Sequence, residues 1–255
     1  MIVDTNLAVG PYPFRHLPLA EPAAMAKFLK EKGVTRAWTG STDALLHRDV
    51  RGVNDRLAAT CQAHGGGILV PFGTVNPKQP GWEDDLKRCA DVHKMPGLRL
   101  HPDYHNYTLA DPALPPLLEA ASAKKLVVVI VGRMEEERVQ HPVFHVTPAV
   151  FAPLPGLLAG LPDLKVVMAN WRLDPTSDGF GVYARVPNLF FETAMIEGLG
   201  KTARLVERVG AGRVLFGSHA PVFVWESAAL KLREAALRDE DAAKVRAANA
   251  TALVP

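Results

Sequence analysis

Polar side chains in this sequence stand where short apolar runs end. Val214–Phe216 reads as a buried strand that breaks at Gly217 and is followed by Ser218 and His219. Parallel α/β folds build their sites at the carboxyl ends of strands. An imidazole with an ordinary pKa can act there as a general base or acid. We therefore predict that His219 is catalytic; the alternative is a neutral histidine that closes the fold through a hydrogen bond to the first strand.

A second imidazole follows another predicted strand, Gly97–Leu100. His101 and Arg99 are two residues apart, so their side chains lie on the same side of the strand. We predict that His101 works with His219 in catalysis, although it could equally anchor the loop that follows. Guanidinium groups bind carboxylates through paired hydrogen bonds, and arginines at the strand ends therefore predict a small substrate that carries a carboxylate. The residues assigned to substrate binding are Asn6, Arg15, Arg99, Arg133, Asn170 and Glu192.

Several of these residues have a structural alternative. Arg15 could clamp the substrate or pair with an acid, and the acidic run after Arg133 could bring a carboxylate over the site. Glu192 lies between Phe191 and Thr193, and a carboxylate inside the barrel needs an arginine or histidine partner whether or not it is catalytic. Strand alternation puts Asp4 on the same side as Asn6, and we expect Asp4 to make structural hydrogen bonds.

The elements that position these residues alternate between strand and helix. Eight strand patterns recur at intervals of roughly thirty residues, each followed by a helical pattern. This order predicts a single α/β domain over residues 1–255, a (β/α)8 TIM barrel, with irregularity around strand six because 171–186 is rich in turn-forming residues. An open doubly wound sheet is the alternative, but the first strand is not followed by a Gly-rich phosphate turn.

Composition excludes several classes of partner. The 255 residues carry 29 basic and 27 acidic side chains, a formal charge of +2 without any basic run, which argues against nucleic-acid binding. The apolar runs are too short to cross a membrane. Only Cys61 and Cys89 are present, which suits a reducing cytoplasm, and the sequence starts with a strand pattern instead of a signal peptide. The oligomeric state is left open.

The chain resembles the amidohydrolase-related family of TIM-barrel metal-dependent hydrolases and decarboxylases. The resemblance spans nearly the whole chain, and its specificity lies in the order and spacing of several motifs. These are Ile2–Asn6, Gly97–Pro102, Leu126–Gly132, Leu164–Asn170, Leu215–Pro221 and Ala248–Ala250. The resemblance implies a TIM barrel and, in typical members, a metal held at the strand ends.

Every metal position implied by the resemblance is changed here. The strand-one pair of histidines aligns with Asn6 and Ala8, the strand-five histidine with Ile130, and the strand-six histidine with Asn170. The acidic residue at the end of strand eight is replaced by His219. Alanine and isoleucine donate nothing to a metal, and a neutral amide is a poor zinc ligand. We therefore predict no metal and no cofactor; a zinc-type ion on His101, His105 and His219 is an alternative.

These observations predict a hydrolase that acts without the usual metal. The family includes a lactone-hydrolysing branch that needs no metal, so a lactone or ester-like bond is the expected target. We predict that His219 activates water while Arg99 and Arg133 hold the substrate carboxylate. A non-catalytic barrel that binds a small molecule or a partner protein is one alternative. A hydrolase or decarboxylase with atypical metal ligands is the other.

Overall fold

Eight parallel strands form a closed ring in the computed structural model, which describes all 255 residues. The strands are β1 (Ile2–Val9), β2 (Val34–Ser41), β3 (Leu69–Pro71), β4 (Gly97–Leu100), β5 (Val127–Val131), β6 (Val166–Ala169), β7 (Leu189–Glu192) and β8 (Val214–Leu215). Strands β1–β3 pair in one sheet and β4–β8 in another. Single bridges between Leu7 and Ala220 and between Gly73 and Leu98 join the two sheets into a barrel. The predicted TIM barrel is confirmed.

Helices connect successive strands on the outside of the barrel. They are α1 (Pro22–Glu31), α2 (Val50–His64), α3 (Trp82–Lys87), α4 (Leu114–Ala123), α5 (Leu154–Ala159), α6 (Gly181–Ala184), α7 (Lys201–Val209), α8 (Trp225–Glu234), α9 (Asp239–Ala243) and α10 (Asn249–Leu253). A π-helical segment, Arg88–Val92, follows α3, and another, Lys244–Ala248, joins α9 to α10. None of these helices combines the length and apolar character that a membrane span requires.

The all-apolar strand β5 is buried on both faces, as its sequence predicts. Val127, Val129 and Val131 belong to the apolar cluster inside the barrel, whereas Val128 and Ile130 pack with the surrounding helices. Ile130 was therefore wrongly aligned with the strand-five metal position, because alternation along the strand turns it away from the interior. The inward position at the end of β5 is Val131, which is equally unable to bind a metal.

Strand β1 breaks the alternation that placed Asp4 beside Asn6. Its pairing with β2 shifts register between Asp4 and Leu7, so the chain gains one residue within the strand. The Asp4 carboxylate accepts hydrogen bonds from Trp225 Nε1 of α8 (3.2 Å) and from the backbone N–H of Ser218 (3.0 Å). Asn6 points into the barrel instead. The expectation that the two side chains share a side was wrong, while the structural role of Asp4 agrees with its contacts.

Strand β6 itself is regular, and the irregularity expected around it lies in residues 171–186, its connection to β7. It pairs with both β5 and β7, and only its connection to β7 is loose, with a 3₁₀ turn at Asp178–Phe180 before the single turn α6. Besides the register shifts of β1, the barrel is irregular at its two closures, where a single bridge replaces a ladder. One of them lies between β1 and β8, next to Asn6 and His219.

Candidate active site

Asn6 is the centre of a polar network at the carboxyl ends of the strands. Its Nδ2 donates hydrogen bonds to Asn170 Oδ1 (2.7 Å) and to Glu192 Oε2 (2.9 Å). Its Oδ1 accepts a hydrogen bond from Arg99 (2.5 Å). His219 joins the network through Asn170, whose Nδ2 lies 3.2 Å from His219 Nδ1. Five residues predicted from separate strands thus meet in the interior, and all are buried.

Two glycines leave room for the charged members of this network. A Cβ at Gly217 would overlap the carboxylate of Glu192, and a Cβ at Gly40 would lie 2.7 Å from Arg99 Cδ. Neither glycine needs a positive φ, so close approach is the reason that they lack a side chain. The sequence therefore provides space for one buried carboxylate and one buried guanidinium inside the barrel.

Glu192 is held by three donors and contacts no cation directly. Besides Asn6, the backbone N–H groups of Asn170 (3.2 Å) and Ala194 donate to its carboxylate. Burial raises the pKa of Glu192 to about 7, although these hydrogen bonds oppose the shift. The expected arginine or histidine partner is not in contact with it: Asn6 bridges Glu192 and Arg99, and the two do not form an ion pair. Glu192 is thus a carboxyl group that titrates near neutral pH.

His219 is neutral and fully engaged. Its Nε2 lies 2.5 Å from the carbonyl oxygen of Met134, so this nitrogen carries the proton and donates. Its Nδ1 then accepts from Asn170. Burial lowers the pKa of His219 to about 3, with further lowering from Arg99 and Arg15. The expected ordinary pKa is not found, because the fully buried ring cannot be hydrated when charged.

Arg99 is the one buried cation of the network and has few partners. The residue is 2% exposed, and the bond to Asn6 is the single hydrogen bond of its side chain. No carboxylate lies within ion-pair distance of it, and burial lowers its pKa to about 10. A guanidinium has five N–H donors, so most of the hydrogen-bonding capacity of Arg99 is unused.

His101 lies beyond Arg99 on the same face of β4. It is 2% exposed, and its Nδ1 has no hydrogen-bond partner. Burial lowers its pKa well below the ordinary value, and the neighbouring Arg99, His105 and His219 lower it further. His105 Nε2 lies 2.8 Å from the carbonyl oxygen of Ala44, and its own Nδ1 is also unpartnered. The neighbourhood of Arg99 therefore holds further unsatisfied polar atoms.

The remaining two predicted residues lie at the mouth and not in the network. The Arg15 guanidinium forms an ion pair with Glu135, whose side chain is buried. The Arg133 guanidinium lies 3.4 Å from the carboxylate of Glu137. Only the backbone of Arg133 reaches the network: its carbonyl oxygen accepts a hydrogen bond from Asn170 Nδ2 (2.8 Å). The roles of both arginines in substrate binding stay predictions.

Aromatic side chains cover the mouth. Phe14 packs against Tyr12 (5.6 Å between ring centroids) and against Phe144 (5.3 Å), which also stacks on Tyr104 (6.1 Å). A cavity of about 530 Å³ between the loops at 102–111 and 144–150 is not lined by any residue of the network. The network is therefore shielded from solvent in this conformation.

Sequence reasoning missed the residues that make this cover. Met134, Phe14 and Phe144 were not selected because nothing in their spacing marks them. One signal was available: large aromatic side chains in predicted loops usually pack against something. Glu135 belongs to the acidic run after Arg133 that was expected to bring a carboxylate over the site, and it is the cover residue that the sequence pointed to.

The fold and the site together define a TIM-barrel protein with a polar centre at the carboxyl ends of its strands. Residues 18–255 match the sequence profile of the amidohydrolase family, and the chain belongs to that family. No characterised relative of curated function matches its sequence.

Solved structures share the fold at low sequence identity. One is the 5-carboxyvanillate decarboxylase LigW from Sphingomonas paucimobilis, 19% identical over 99% of this chain and 98% of that one, with a TM-score of 0.73. Another is the 2,6-dihydroxybenzoate decarboxylase from Rhizobium, 16% identical over 99% and 98%, with a TM-score of 0.74. A third is a dihydroxybenzoic acid decarboxylase from Polaromonas with bound manganese and an inhibitor, 15% identical over 99% and 96%, with a TM-score of 0.73.

The residues at the strand ends do not fit the metal that the family implies. No three histidine, cysteine, aspartate or glutamate side chains come together as ligands, including the set of His101, His105 and His219. Two of the positions where the family holds its metal carry the amides of Asn6 and Asn170. The side-chain oxygen of Asn6, which would have to bind a cation, lies 2.5 Å from the Arg99 guanidinium. Neutral amides bind zinc poorly, and a fixed positive charge repels a second cation.

Proposed function

We propose that this protein is an enzyme that hydrolyses a lactone or ester-like bond in a small carboxylated substrate, without a metal. The observation that carries the proposal is Arg99, a buried guanidinium with one hydrogen bond and no ion-pair partner. Burying a charge without a partner is costly, and proteins keep such groups where a ligand supplies the opposite charge. A guanidinium and a carboxylate can form two parallel hydrogen bonds, so a carboxylate suits the idle donors of Arg99.

The groups around Arg99 support the binding of an oxygen-rich anion. The unpartnered Nδ1 of His101 lies on the same face of β4, two residues from Arg99. Asn6 offers an amide beside the guanidinium. A carboxylate bound here would satisfy donors that are idle in the closed barrel, which is the usual reason for an unsatisfied buried polar atom in a native protein.

His219 and Asn170 fit the activation of a carbonyl group better than the activation of water. Nε2 of His219 and Nδ2 of Asn170 already donate hydrogen bonds to two carbonyl oxygens, those of Met134 and Arg133. A neutral imidazole with a lowered pKa is a hydrogen-bond donor that stays uncharged while it polarises a carbonyl. We assign His219 this role instead of the general-base role expected from the sequence.

Glu192 is the better proton acceptor. Its pKa of about 7 lies close to the working pH of most enzymes, where a general base is most effective. In the proposed reaction, the oxygen of a water molecule attacks the substrate carbonyl while Glu192 accepts its proton. Glu192 then passes this proton to the leaving alkoxide as the ester or lactone bond breaks, and it is a carboxylate again at the end of the reaction.

The test is a panel of lactones and esters assayed in matched pairs, with and without a carboxylate. We expect turnover that requires the carboxylate, survives EDTA, and falls by about 100-fold or more in kcat/KM for Arg99→Met. Arg204→Met changes an arginine on the exposed surface and is the matched control. Equal turnover of the pairs, or loss of activity with EDTA, would contradict the proposal. Carboxylate binding without any turnover would favour the non-catalytic alternative.

Decarboxylation is a second candidate. The structural neighbours named above are decarboxylases of aromatic carboxylates, and Glu192 titrates near neutral pH. In that reaction the bond to the carboxyl carbon breaks, its electron pair stays on the substrate, and a proton from Glu192 replaces the carbon dioxide. Release of carbon dioxide from benzoate derivatives that bear hydroxyl groups, lost in Glu192→Gln, would support this candidate over hydrolysis.

A further inference from the structure

Three consecutive residues after β5 fill the mouth of the barrel. The carbonyl oxygen of Arg133 accepts a hydrogen bond from Asn170 Nδ2 (2.8 Å), and that of Met134 accepts one from His219 Nε2 (2.5 Å). The third residue, Glu135, forms an ion pair with Arg15 from the loop after β1. Every member of this segment thus contacts either the polar network or the opposite loop. We call Arg133–Glu135 the plug.

The side chain of Met134 also enters the barrel. It is 2% exposed and belongs to the interior apolar cluster, together with Tyr12 and Val131. Methionine is unbranched and adapts to irregular gaps, which suits a residue that packs in one conformation and can leave it. The plug therefore supplies both polar and apolar contacts where a substrate would bind.

The loop that carries the plug is fastened at its base and folded on itself. Gly132 donates a backbone hydrogen bond to Ala169 (2.8 Å), and Ala149 donates one back to Gly132 (2.8 Å). Within the loop, the Gln140 side chain bonds the backbone N–H and the carbonyl of Val146 (3.0 and 3.2 Å). A loop with closed ends and internal bonds can move as a unit about its base.

The tip of the loop is weakly held. Val139 and Val143 are 57% and 85% exposed, and Phe144 is 39% exposed while it stacks on Phe14 and Tyr104. The ion pair of Arg15 with Glu135 is the one charged contact between the plug and the loop after β1. Exposed apolar residues and few buried contacts characterise segments that open locally without global unfolding.

We propose that the plug is an autoinhibitory occupant of the site, latched by the Arg15–Glu135 ion pair, and that it leaves as a unit before any ligand reaches His219 and Asn170. The two plug carbonyls stand where acceptor oxygens of a ligand would be bound by the same donors. Arg15 acts from the mouth as a positioning residue for the plug. This proposal does not depend on which reaction the protein catalyses.

Hydrogen exchange on the full chain tests the latch without any ligand. In Glu135→Gln, we expect the amides of residues 134–148 to exchange about tenfold faster or more, while strands β5 and β6 keep their protection. The matched control is Glu137→Gln, in the same loop but paired with Arg133 on the exposed side. If Glu135→Gln folds poorly, Arg15→Gln removes the same ion pair from its half-exposed end. Unchanged loop exchange in both latch variants would overturn the proposal, as would faster exchange spread over the whole barrel.

Chemical modification tests whether the plug covers the site. Diethyl pyrocarbonate acylates neutral imidazoles that solvent can reach, and mass spectrometry locates the product. We expect His219 to be protected in the wild-type protein and modified about tenfold faster in Glu135→Gln, with the exposed His16 and His47 modified equally in both. Modification of His219 at the same rate in both proteins would overturn the proposal, whatever the outcome of the activity assays.

Discussion

The side-chain amide of Asn170 lies 3.2 Å from Nδ1 of His219, and both residues have a left-handed backbone, with φ of 54° and 58°. Asn170 directly follows β6, and His219 is the fourth residue after β8. Asparagine and histidine are enriched in this region of φ, whereas most residues with a Cβ avoid it. The pair is therefore set by backbone conformation and hydrogen bonding together, which is typical of strained positions at functional sites.

The neutral state of His219 predicts how stability falls in acid. The pKa of His219 is about 3 in the folded chain and 6.5 when unfolded, so between these values the unfolded state binds more protons. Stability from this group is complete above pH 6.5 and is lost as pH falls towards 3. Asparagine is a suitable replacement because it tolerates the positive φ of His219. We expect the difference in free energy of unfolding between wild type and His219→Asn to decrease by about 3 kcal/mol, in favour of the variant, between pH 7 and pH 4.

Urea unfolding of both proteins across this pH range measures the effect. A constant difference between the two would mean that His219 titrates alike in the folded and unfolded states, and so that its ring is hydrated.

The raised pKa of Glu192 predicts the opposite dependence of stability on pH, a loss as pH rises. Its pKa is about 7 in the folded chain against 4.5 when unfolded, so the folded state binds more protons in this window. Ionisation of Glu192 therefore destabilises the fold progressively as pH rises from 4.5 to 7. Glu192→Gln cannot ionise. The free energy of unfolding of wild type relative to the variant should fall by about 3 kcal/mol from pH 4 to pH 8, as measured by denaturant titration. A rise over this range would show that Glu192 is stabilised as a carboxylate.

The isolation of Arg99 predicts that its charge does little for folding. Removing a buried cation without an ion-pair partner relieves its desolvation cost, which offsets the lost hydrogen bond to Asn6. We expect Arg99→Met to change the free energy of unfolding by less than about 2 kcal/mol. Leu98→Ala, on the outward face of the same strand, should cost about 2–5 kcal/mol. Severe destabilisation by Arg99→Met would mean that the guanidinium is structural, and would remove the main support for a carboxylate site.

The sequence predicted the barrel and most of its polar centre for one physical reason. Strand alternation and buried runs are local signals, and parallel strands bring their carboxyl ends together whatever the details. Asn6, Arg99, Asn170, Glu192 and His219 were identified in this way, and they meet in one network.

The rest depended on tertiary contacts that no local pattern encodes. The register shift in β1 turns the side chains of Asp4 and Asn6 to different sides of the strand. The side chain of Ile130 points outward from β5 and packs with the helices. The pKa values of His219 and Glu192 depend on how completely the mouth is closed, and Met134 closes it from a loop without periodicity. A residue whose role is to fill space leaves little trace in spacing, in contrast to a residue that must sit at a strand end.

Gly217 predicts how tightly Glu192 is enclosed. A Cβ at this position would overlap the carboxylate, which is fixed by Asn6 and two backbone N–H groups and cannot move without losing them. We expect Gly217→Ala to destabilise the fold by about 2–3 kcal/mol, as overpacking of a filled core does. Gly156→Ala is the matched control, because Gly156 is exposed within α5 and nothing lies within 4 Å of its Cβ position. That change should stabilise the helix by up to about 1 kcal/mol. If both substitutions had the same small effect in thermal unfolding, Glu192 would have room to move, and its raised pKa could not be ascribed to close burial.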